Sequence, residues 1–379
     1  MLLGGEPAAL SCAARLLRGG ARVVHLFPEP WGLFGASRDI GVAYPELGEP
    51  LERLEYALGP EAAAELHAWG KDGVNALLQA AEGLEGLRRG SRLQLSRDEG
   101  SAALSARDAL DRQRLGDEVR LMSGAAASNY APLSTSVHQA CFETHAIAFA
   151  PAPLCEQLQA SLSESPSYTA VPLTAEQWAN CRVESGVGEA VATWPCGEAR
   201  GEAAVVAAAF ESARLLNRFS RALVPLLGQA FRSAPLREKA RSSVVGITSS
   251  WGLERYRFDE ESRLLGCGID PGSGEFYPRP VVLESMQETL WKRAGGLFSD
   301  LGESTEEALR WGVLFCTTCD GLPLLGPLPG ETRRHVIAGF GTSAWSRGFR
   351  AGQLIADSLL QGRRSDGGLL DRCSPRRLV

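Results

Sequence analysis

Two glycine-containing turns, one near each end of the chain, have the clearest potential for binding chemistry. Gly4 and Gly5 precede a helix-forming stretch that includes Ala9. Glycines at such a turn allow backbone amides and the helix N-terminus to approach an anion, as in the pyrophosphate sites of dinucleotide-binding proteins. The second turn, residues 339–344 (GFGTSA), can direct backbone amides at an acceptor that gains negative charge.

The cysteine and histidine residues do not form a pattern that is typical of a catalytic or metal-binding site. Cys316 and Cys319 form a lone C-x-x-C pair, whereas redox or zinc chemistry needs a helix N-terminus or further ligands, so we interpret them as two buried thiols. His138 and His145 lack a third ligand, and His25 lies on an apolar strand where a core histidine is expected. The sequence therefore predicts no metal site and identifies no catalytic residue.

The composition argues against a nucleic-acid or membrane partner. The net charge of −6 and the pI near 5.6 do not favour a basic surface, and the arginines at 363–364 and 376–377 are interpreted as a solvated tail. No apolar run approaches the roughly 20 residues of a membrane helix, and the start Met1-Leu2-Leu3 lacks the basic region of a signal peptide. Nine cysteines without a repeating spacing indicate a reduced, cytoplasmic chain.

The elements around the first turn have the pattern strand, turn, helix, strand. Leu2-Leu3 predicts a strand, residues 8–18 predict a helix with apolar residues at helical spacing, and residues 21–27 (ARVVHLF) predict a second strand. This βαβ beginning is typical of a parallel sheet. Few residues precede the turn, where strands have about five or six, so either the strand is clipped or the true start lies upstream.

The middle of the chain has a different pattern, and the last part returns to the first. Residues 202–209 (EAAVVAAA) predict a buried strand, and residues 215–231 predict a loop or irregular helix. Residues 242–276 alternate and predict antiparallel strands, whereas residues 336–338 predict a strand of the opening layer. We therefore predict an α/β fold with a nucleotide-type domain at residues 1–80, 145–215 and 310–379 and an inserted antiparallel-sheet domain at 81–144 and 216–309.

Two segments resemble a known family. Residues 320–330 (DGLPLLGPLPG), with the turn and helix that follow, resemble the C-terminal signature of the D-amino-acid oxidase and glycine oxidase superfamily, and the opening through residues 35–41 (GASRDIG) resembles its N-terminal flavin half. The resemblance covers most of the chain, although residues 81–144 match only loosely. It implies a Rossmann-like FAD-binding domain, a substrate domain whose sheet covers the flavin ring, and removal of hydride from a C–N bond with reoxidation by an acceptor.

The resemblance also implies which residues bind FAD. Ser37 and Arg38 could contact phosphate, and the second turn could donate amides to the flavin. The cofactor-binding positions implied by the resemblance are Gly4, Gly5, Ala9, Ser37, Arg38, Gly339, Gly341, Thr342 and Ser343.

The first turn departs from the family pattern at Glu6. The pattern has a glycine here, because the backbone must approach a doubly negative pyrophosphate. Glu6 brings bulk and a carboxylate, and at about 5 Å with an effective dielectric near 20 one such repulsion costs roughly 3 kcal/mol. Pro7 removes one amide from the helix start. A carboxylate that satisfies the helix N-terminus would occupy the anion site that the cofactor uses.

Further departures lie along the expected cofactor path. Phe27 stands where the family has an acidic residue that binds ribose, although Glu29 follows two residues later. Phe210 stands where a glycine lets the chain pass close to the cofactor, and Ala344 replaces a glycine of the second turn. Phe315 occupies the position of the arginine that binds a substrate carboxylate, and phenylalanine cannot form that bidentate contact.

These features leave three hypotheses open. In the first, flavin chemistry is lost or weakened, Phe27 and Phe210 fill the cleft, and the chain is a regulatory or structural subunit with a homologous or other protein partner. In the second, the chain is an active FAD-dependent oxidase of an amine without a carboxylate, with Phe315 in an apolar substrate pocket. In the third, a different small ligand occupies the same cleft.

Overall fold

The computed structural model describes most of the 379-residue chain. The described residues are 1–29, 35–45, 48–238, 241, 243–269, 280–301, 308–362 and 368–378. Their strands are β1 Leu2–Leu3, β2 Val23–Pro28, β3 Val42–Ala43, β4 Arg88–Ser96, β5 Val119–Ser123, β6 Gln139–Ala148, β7 Tyr168–Leu173, β8 Arg182–Ser185, β9 Ala190–Trp194, β10 Gly197–Gly201, β11 Ala204–Val206, β12 Leu223–Pro235, β13 Val244–Ser249, β14 Glu254–Phe258, β15 Arg263–Ile269, β16 Leu309–Thr318, β17 Leu324–Pro327 and β18 Arg334–Ala338.

The helices of the described residues alternate with strands in the first part of the chain and near its end. They are α1 Pro7–Arg18, α2 Leu51–Leu58, α3 Pro60–Ala80, α4 Glu99–Arg114, α5 Gly124–Ala127, α6 Pro151–Ser163, α7 Ala175–Asn180, α8 Glu211–Leu215, α9 Glu284–Gly295, α10 Phe349–Gln361 and α11 Leu369–Arg372. No helix in the described part of the chain is both long and apolar enough to cross a bilayer.

A six-stranded sheet forms the first layer, in the order β17-β18-β11-β1-β2-β7. All of its pairs are parallel except the edge pair β17–β18. The prediction that the opening strands and residues 336–338 share one sheet is therefore confirmed. Helices α1, α3, α6 and α10 contribute to the core on one face. The other face packs against a small antiparallel sheet, β10-β9-β8. This is the Rossmann-like layer that the sequence predicts.

A second, curled sheet of nine strands has the order β16-β12-β15-β14-β13-β4-β6-β3, with β5 paired to β6. Its pairs are antiparallel except β13–β4. The α/β fold class with an added antiparallel sheet is thus confirmed. β3 and β16 belong to this sheet, although they lie outside the residues predicted for the inserted domain. Sheet membership alone does not set domain limits. The domain bounds therefore stay a prediction.

Two local predictions were wrong. The strand expected at residues 202–209 ends at Val206, because the chain then turns through Ala209, whose φ of 46° is left-handed. The loop expected at residues 215–231 is mostly the long strand β12. β12 pairs with a strand on each side and is buried at most positions, so it lacks the polar–apolar alternation that indicates a strand.

Candidate functional site

The turn after β1 requires glycine at position 4. Gly4 has φ 129°, and its amide donates to the Leu26 carbonyl at 2.9 Å. A Cβ on Gly4 would lie 1.9 Å from the Ala207 carbonyl oxygen, so no side chain fits where β1 passes β11. Gly5 follows and is partly buried. The close approach of the Ala207 backbone therefore requires Gly4, whereas the sequence analysis expected this glycine for the access of an anion to backbone amides.

His25 helps to fix this turn. Its Nε2 lies 2.7 Å from the Gly4 carbonyl oxygen and its Nδ1 lies 2.8 Å from the Tyr168 hydroxyl. Burial lowers the pKa of His25 to about 4, so the ring is neutral near pH 7, with Nε2–H donating to Gly4. His25 is the core histidine that the sequence analysis expected.

Helix α1 begins directly after the turn and packs closely. Ala9 is fully buried, and its amide donates to the Glu6 carbonyl oxygen at 2.8 Å. On the same helix, the Ala8 carbonyl oxygen would lie 2.2 Å from a Cβ on Gly352 of α10, which shows how closely the two helices approach. The burial of Ala9 leaves little room for a larger side chain at the third fingerprint position.

The Glu6 side chain does not cap α1, contrary to the sequence analysis. Its carboxyl group crosses to residues 35–36, where the Ala36 amide donates to Oε2 at 3.4 Å. A Cβ on Gly35 would lie 1.7 Å from Glu6 Oε1, so the carboxyl group uses the space that this glycine leaves open. The Ala9 amide, which a capping side chain could accept from, bonds instead to the Glu6 backbone carbonyl.

Burial raises the pKa of the Glu6 carboxyl to about 7, and the hydrogen bond from Ala36 only partly offsets this rise. Glu6 therefore exchanges a proton near neutral pH, next to the helix N-terminus that binds anions in dinucleotide sites. A carboxyl with a pKa shifted so far, in a cavity, is a candidate functional group.

A small cavity lies between Glu6 and the second turn. It measures about 30 Å³, and its lining includes Glu6, Gly339, Gly341, Ala344 and Phe315. A cavity of this volume has room for about one water molecule, whereas sites for drug-sized ligands measure roughly 300–1,000 Å³. The cavity thus lies between the start of α1 and the second turn, whereas Gly4, Gly5 and Ala9 are not among its lining residues.

The second turn keeps its glycines but uses its hydroxyl groups internally. Gly339 and Gly341 have φ 89° and 53°, values that favour glycine. The Ser343 hydroxyl donates to the Phe340 carbonyl oxygen at 2.7 Å and accepts a hydrogen bond from Arg347. Gly339 and Gly341 line the cavity, whereas neither Thr342 nor Ser343 is among its lining residues, and the contacts of all four with a cofactor stay a prediction.

Ser37 and Arg38 also lie outside the cavity lining. Ser37 is buried, and Arg38 Nε donates to the Gly312 carbonyl oxygen at 3.0 Å. The Trp311 ring nitrogen donates in return to the Arg38 carbonyl oxygen at 2.7 Å. Arg38 therefore joins the segment at 35–38 to β16, and partial burial lowers the pKa of its guanidinium. The phosphate contact of Arg38 stays a prediction.

A buried ion pair beside the cavity was missed by the sequence analysis. Arg255 Nη1 lies 2.8 Å from Asp39 Oδ2, and both side chains are 1% exposed. The same nitrogen donates to the Thr342 carbonyl oxygen at 3.4 Å, and the guanidinium carbon lies 5.1 Å from the centre of the Phe315 ring. This pair connects the segment at 35–38, the second turn and the nine-stranded sheet.

The three phenylalanines that depart from the family pattern lie in different places. Phe315 lines the cavity, whereas Phe27 is buried at β2 with its ring centre 5.2 Å from that of His25. Phe210 precedes α8 and packs on the core between the six-stranded and three-stranded sheets, while its neighbour Ala209 lines the cavity. The expectation that Phe27 and Phe210 fill the cleft is therefore wrong, because neither lines the cavity, whose large lining side chains include Glu6, Phe315 and Phe340.

The sequence analysis expected Cys316 and Cys319 both to be buried, and only one of them is. Cys316 is buried, and burial raises the pKa of its thiol, but Cys319 is exposed. None of the nine cysteines forms a disulfide. Within the described ranges, no group of three or more His, Cys, Asp and Glu side chains is placed to hold a metal ion.

Together the residues fit a flavin dinucleotide only in part. The glycines at 339 and 341 leave backbone exposed to the cavity. The turn before α1, however, presents a carboxyl group at the place where a pyrophosphate would approach the helix. The Glu6 side chain conflicts with a bound pyrophosphate in two ways, through its negative charge and through the volume that it occupies.

Comparisons with known proteins show the family and the fold of the chain. The family described as FAD dependent oxidoreductase (DAO) matches residues 8–358. Glycine oxidase from Geobacillus kaustophilus is 19% identical with a TM-score of 0.79, covering 100% of this chain and 98% of that one. Iminodiacetate oxidase from Chelativorans sp. BNC1 is 20% identical with a TM-score of 0.75, covering 99% and 98%. L-α-glycerophosphate oxidase from Mycoplasma pneumoniae, solved with FAD bound, is 12% identical with a TM-score of 0.73, covering 96% of each chain. No curated protein matches the sequence.

Proposed function

The chain belongs to the DAO family of FAD-dependent oxidoreductases, and from this premise we propose that it keeps the family fold, binds FAD weakly or not at all, and acts as a non-catalytic binding or regulatory subunit. The observation that carries the proposal is the Glu6 carboxyl group, which lies against Gly35 and Ala36 at the start of α1. In the family pattern this position has no side chain.

The electrostatic part of the proposal follows from the charge of a pyrophosphate. An ionised Glu6 about 5 Å from one negative charge costs roughly 3 kcal/mol at an effective dielectric of about 20. Glu6 can also avoid the repulsion by taking up a proton, which costs about 1.4 kcal/mol at pH 8, so the net loss there is about one decade in the dissociation constant. Because the pKa of Glu6 is about 7, the repulsion is present above neutral pH and fades below it.

The steric part concerns the space beside Glu6. The cavity of about 30 Å³ is smaller than a ligand site by an order of magnitude, and Phe315 forms one of its walls. The buried Arg255–Asp39 pair lies against the other side of the Phe315 wall, and such a pair is costly to break. Enlarging the cavity would therefore need movement of groups that are held by several contacts.

In this proposal the function is binding to another protein, either a homologous chain or an unrelated subunit. Loss of cofactor chemistry leaves the two sheets and their cores intact, so the chain can serve as a folded binding partner. A reducing, cytoplasmic setting is part of the proposal, since all nine cysteines are free.

The retained second turn favours a second candidate function, an active amine oxidase. Gly339 and Gly341 face the cavity, and Phe315 would offer an apolar wall to an amine that lacks a carboxylate. When bound, FAD supplies hydride acceptance from a C–N bond. The residues of this chain would hold the flavin edge through the turn amides and exclude water with Phe315.

Titration with FAD distinguishes the two functions. We expect weak binding by the wild-type protein, tighter binding by Glu6→Gln above pH 7, and still tighter binding by Glu6→Gly, because the first variant removes charge and the second removes charge and volume. Glu82→Gln, at an exposed position, is the matched control. Stoichiometric FAD in the wild-type protein, together with oxidation of simple amines, would favour the oxidase instead.

A further inference from the structure

A cleft at the opposite end of the parallel sheet from Glu6 is lined by four arginines. β18 ends at Ala338, which lines the Glu6 cavity, and begins at Arg334, which lines the distant cleft. The cleft measures about 600 Å³, within the range of small-molecule sites. We call it the arginine cleft and define it by Arg182, Arg214, Arg218 and Arg334.

Two of these arginines build the walls. Arg214 uses all three guanidinium nitrogens: Nε bonds to Glu211 at 2.7 Å, Nη2 donates to the Trp178 carbonyl oxygen at 2.9 Å, and Nη1 donates to the carbonyls of Ala179 and Cys181. These carbonyls lie at the C-terminal end of α7, where cations are favoured. Arg214 is therefore committed to structure.

Arg334 is committed in the same way. Its Nε and Nη2 bond to the two carboxylate oxygens of Glu331 at 2.6 and 2.5 Å, and its Nη1 donates to the Val183 carbonyl oxygen at 2.9 Å. The hydrogen bonds that Arg334 donates to Glu331 are the largest cause of the lowered pKa of this carboxyl group. Glu331 therefore stays ionised at neutral pH.

The other two arginines, Arg182 and Arg218, retain guanidinium N–H groups that donate to none of the described residues. Arg182 Nη1 shares the Ala179 and Cys181 carbonyls with Arg214, which places two guanidinium groups side by side, but its Nε and Nη2 bond to none of the described residues. Arg218 Nη1 donates to the Pro329 carbonyl oxygen at 3.2 Å, its Nη2 stays 3.9 Å from Glu331, and its Nε bonds to none of the described residues.

The backbone around Arg218 is strained. Asn217 and Phe219, on either side of it, have φ of 49° and 65°, in the left-handed region that non-glycine residues rarely adopt. Strain of this kind persists where the surrounding structure imposes it, and it is found at ligand-binding segments. Here it fixes the direction in which Arg218 leaves the chain, toward the same cleft as Arg182.

We propose that the arginine cleft binds a small molecule that carries a phosphate group, through Arg182 and Arg218. Four arginines face three nearby carboxylates, Glu184, Glu211 and Glu331, so one positive charge is uncompensated in a protein whose net charge is −6. A phosphate offers several acceptor oxygens in the geometry that guanidinium donors match, so it can bridge the two arginines that retain donors.

Calorimetric titration with inorganic pyrophosphate and with inorganic phosphate tests this proposal. We expect saturable binding by the wild-type protein that weakens with added salt. Arg182→Gln and Arg218→Gln should each weaken it at least tenfold, and the double variant should abolish it. Arg221→Gln, which removes an exposed charge three residues along and outside the cleft lining, should bind as the wild type does.

Several outcomes would overturn the proposal: no saturable binding by the wild-type protein, full binding by the double variant, or equal losses in Arg221→Gln. If a glutamine variant does not fold, Arg182→Lys keeps the charge but loses the planar fork, and it should bind with intermediate strength. The losses caused by Arg182→Gln and Arg218→Gln should be the same in a Glu6→Gln background, which separates the arginine cleft from the cavity at Glu6.

Discussion

Replacing Glu6 with glutamine should stabilise the protein more at high pH than at low pH. The substitution keeps the shape of the side chain and removes its ionisation. In the folded protein the pKa of Glu6 is about 7, against 4.5 for an ordinary glutamate. Between these values the folded state binds more protons than the unfolded state, so the stability of the wild-type protein falls as pH rises from 4.5 to 7.

The size of this effect follows from the two pKa values. With 1.36 kcal/mol for each pKa unit, ionisation of Glu6 lowers the free energy of unfolding by about 1.4 kcal/mol at pH 5.5 and by about 3 kcal/mol at pH 8. The stability difference between Glu6→Gln and wild type should therefore grow by about 2 kcal/mol over this range. Most of the increase should occur below pH 7, because the folded carboxyl ionises above it.

Urea unfolding at half-unit pH steps from 5.5 to 8 measures this difference directly. Taking the difference between variant and wild type cancels all other groups whose titration is unchanged. Glu82→Gln, on an exposed side chain, should show a difference that does not vary with pH. A pH-independent difference for Glu6→Gln would refute the placement of the Glu6 carboxyl in a poorly solvated site.

Three further outcomes follow from contacts near the cavity. Asp39→Ala leaves Arg255 buried without its carboxylate and should lower the free energy of unfolding by about 3–5 kcal/mol in urea, whereas Asp39→Leu with Arg255→Met should cost less; equal costs would contradict the buried pair. Phe210→Ala should cost about 2 kcal/mol of stability, because the ring is partly buried in the core, without raising FAD affinity; a gain in affinity would place the ring in the cavity. A thiol reagent should modify Cys196 and Cys319 in the native protein but Cys316 only after unfolding, and rapid reaction of Cys316 would contradict its burial.

Local patterns were enough to predict the layers and the two turns. The apolar strand at β2, the glycines at 4 and 339, and the helix at α10 each have a signal within a few residues. Glycine at position 4 is informative because the approach of Ala207 leaves no room for a Cβ. The sequence therefore predicts the two turns, whereas only the fold shows the cavity at the start of α1.

The direction of side chains and the long-range pairs could not be predicted. The sequence places Glu6 at a helix start, but only the fold shows that its carboxyl group reaches residues 35–36. Asp39 and Arg255 are 216 residues apart, and charges of opposite sign at such a separation give no local signal. Strand β12 was missed because a strand buried on both faces has no alternation.

The most direct test of the central claim is the flavin content of the wild-type protein after purification and after incubation with excess FAD at pH 8. At this pH Glu6 is mostly ionised, so FAD must bind either against its charge or with uptake of a proton by Glu6. We predict no flavin absorbance after dialysis in the wild-type protein and measurable retained FAD in Glu6→Gly. A yellow wild-type protein that keeps one FAD per chain through dialysis would contradict the account.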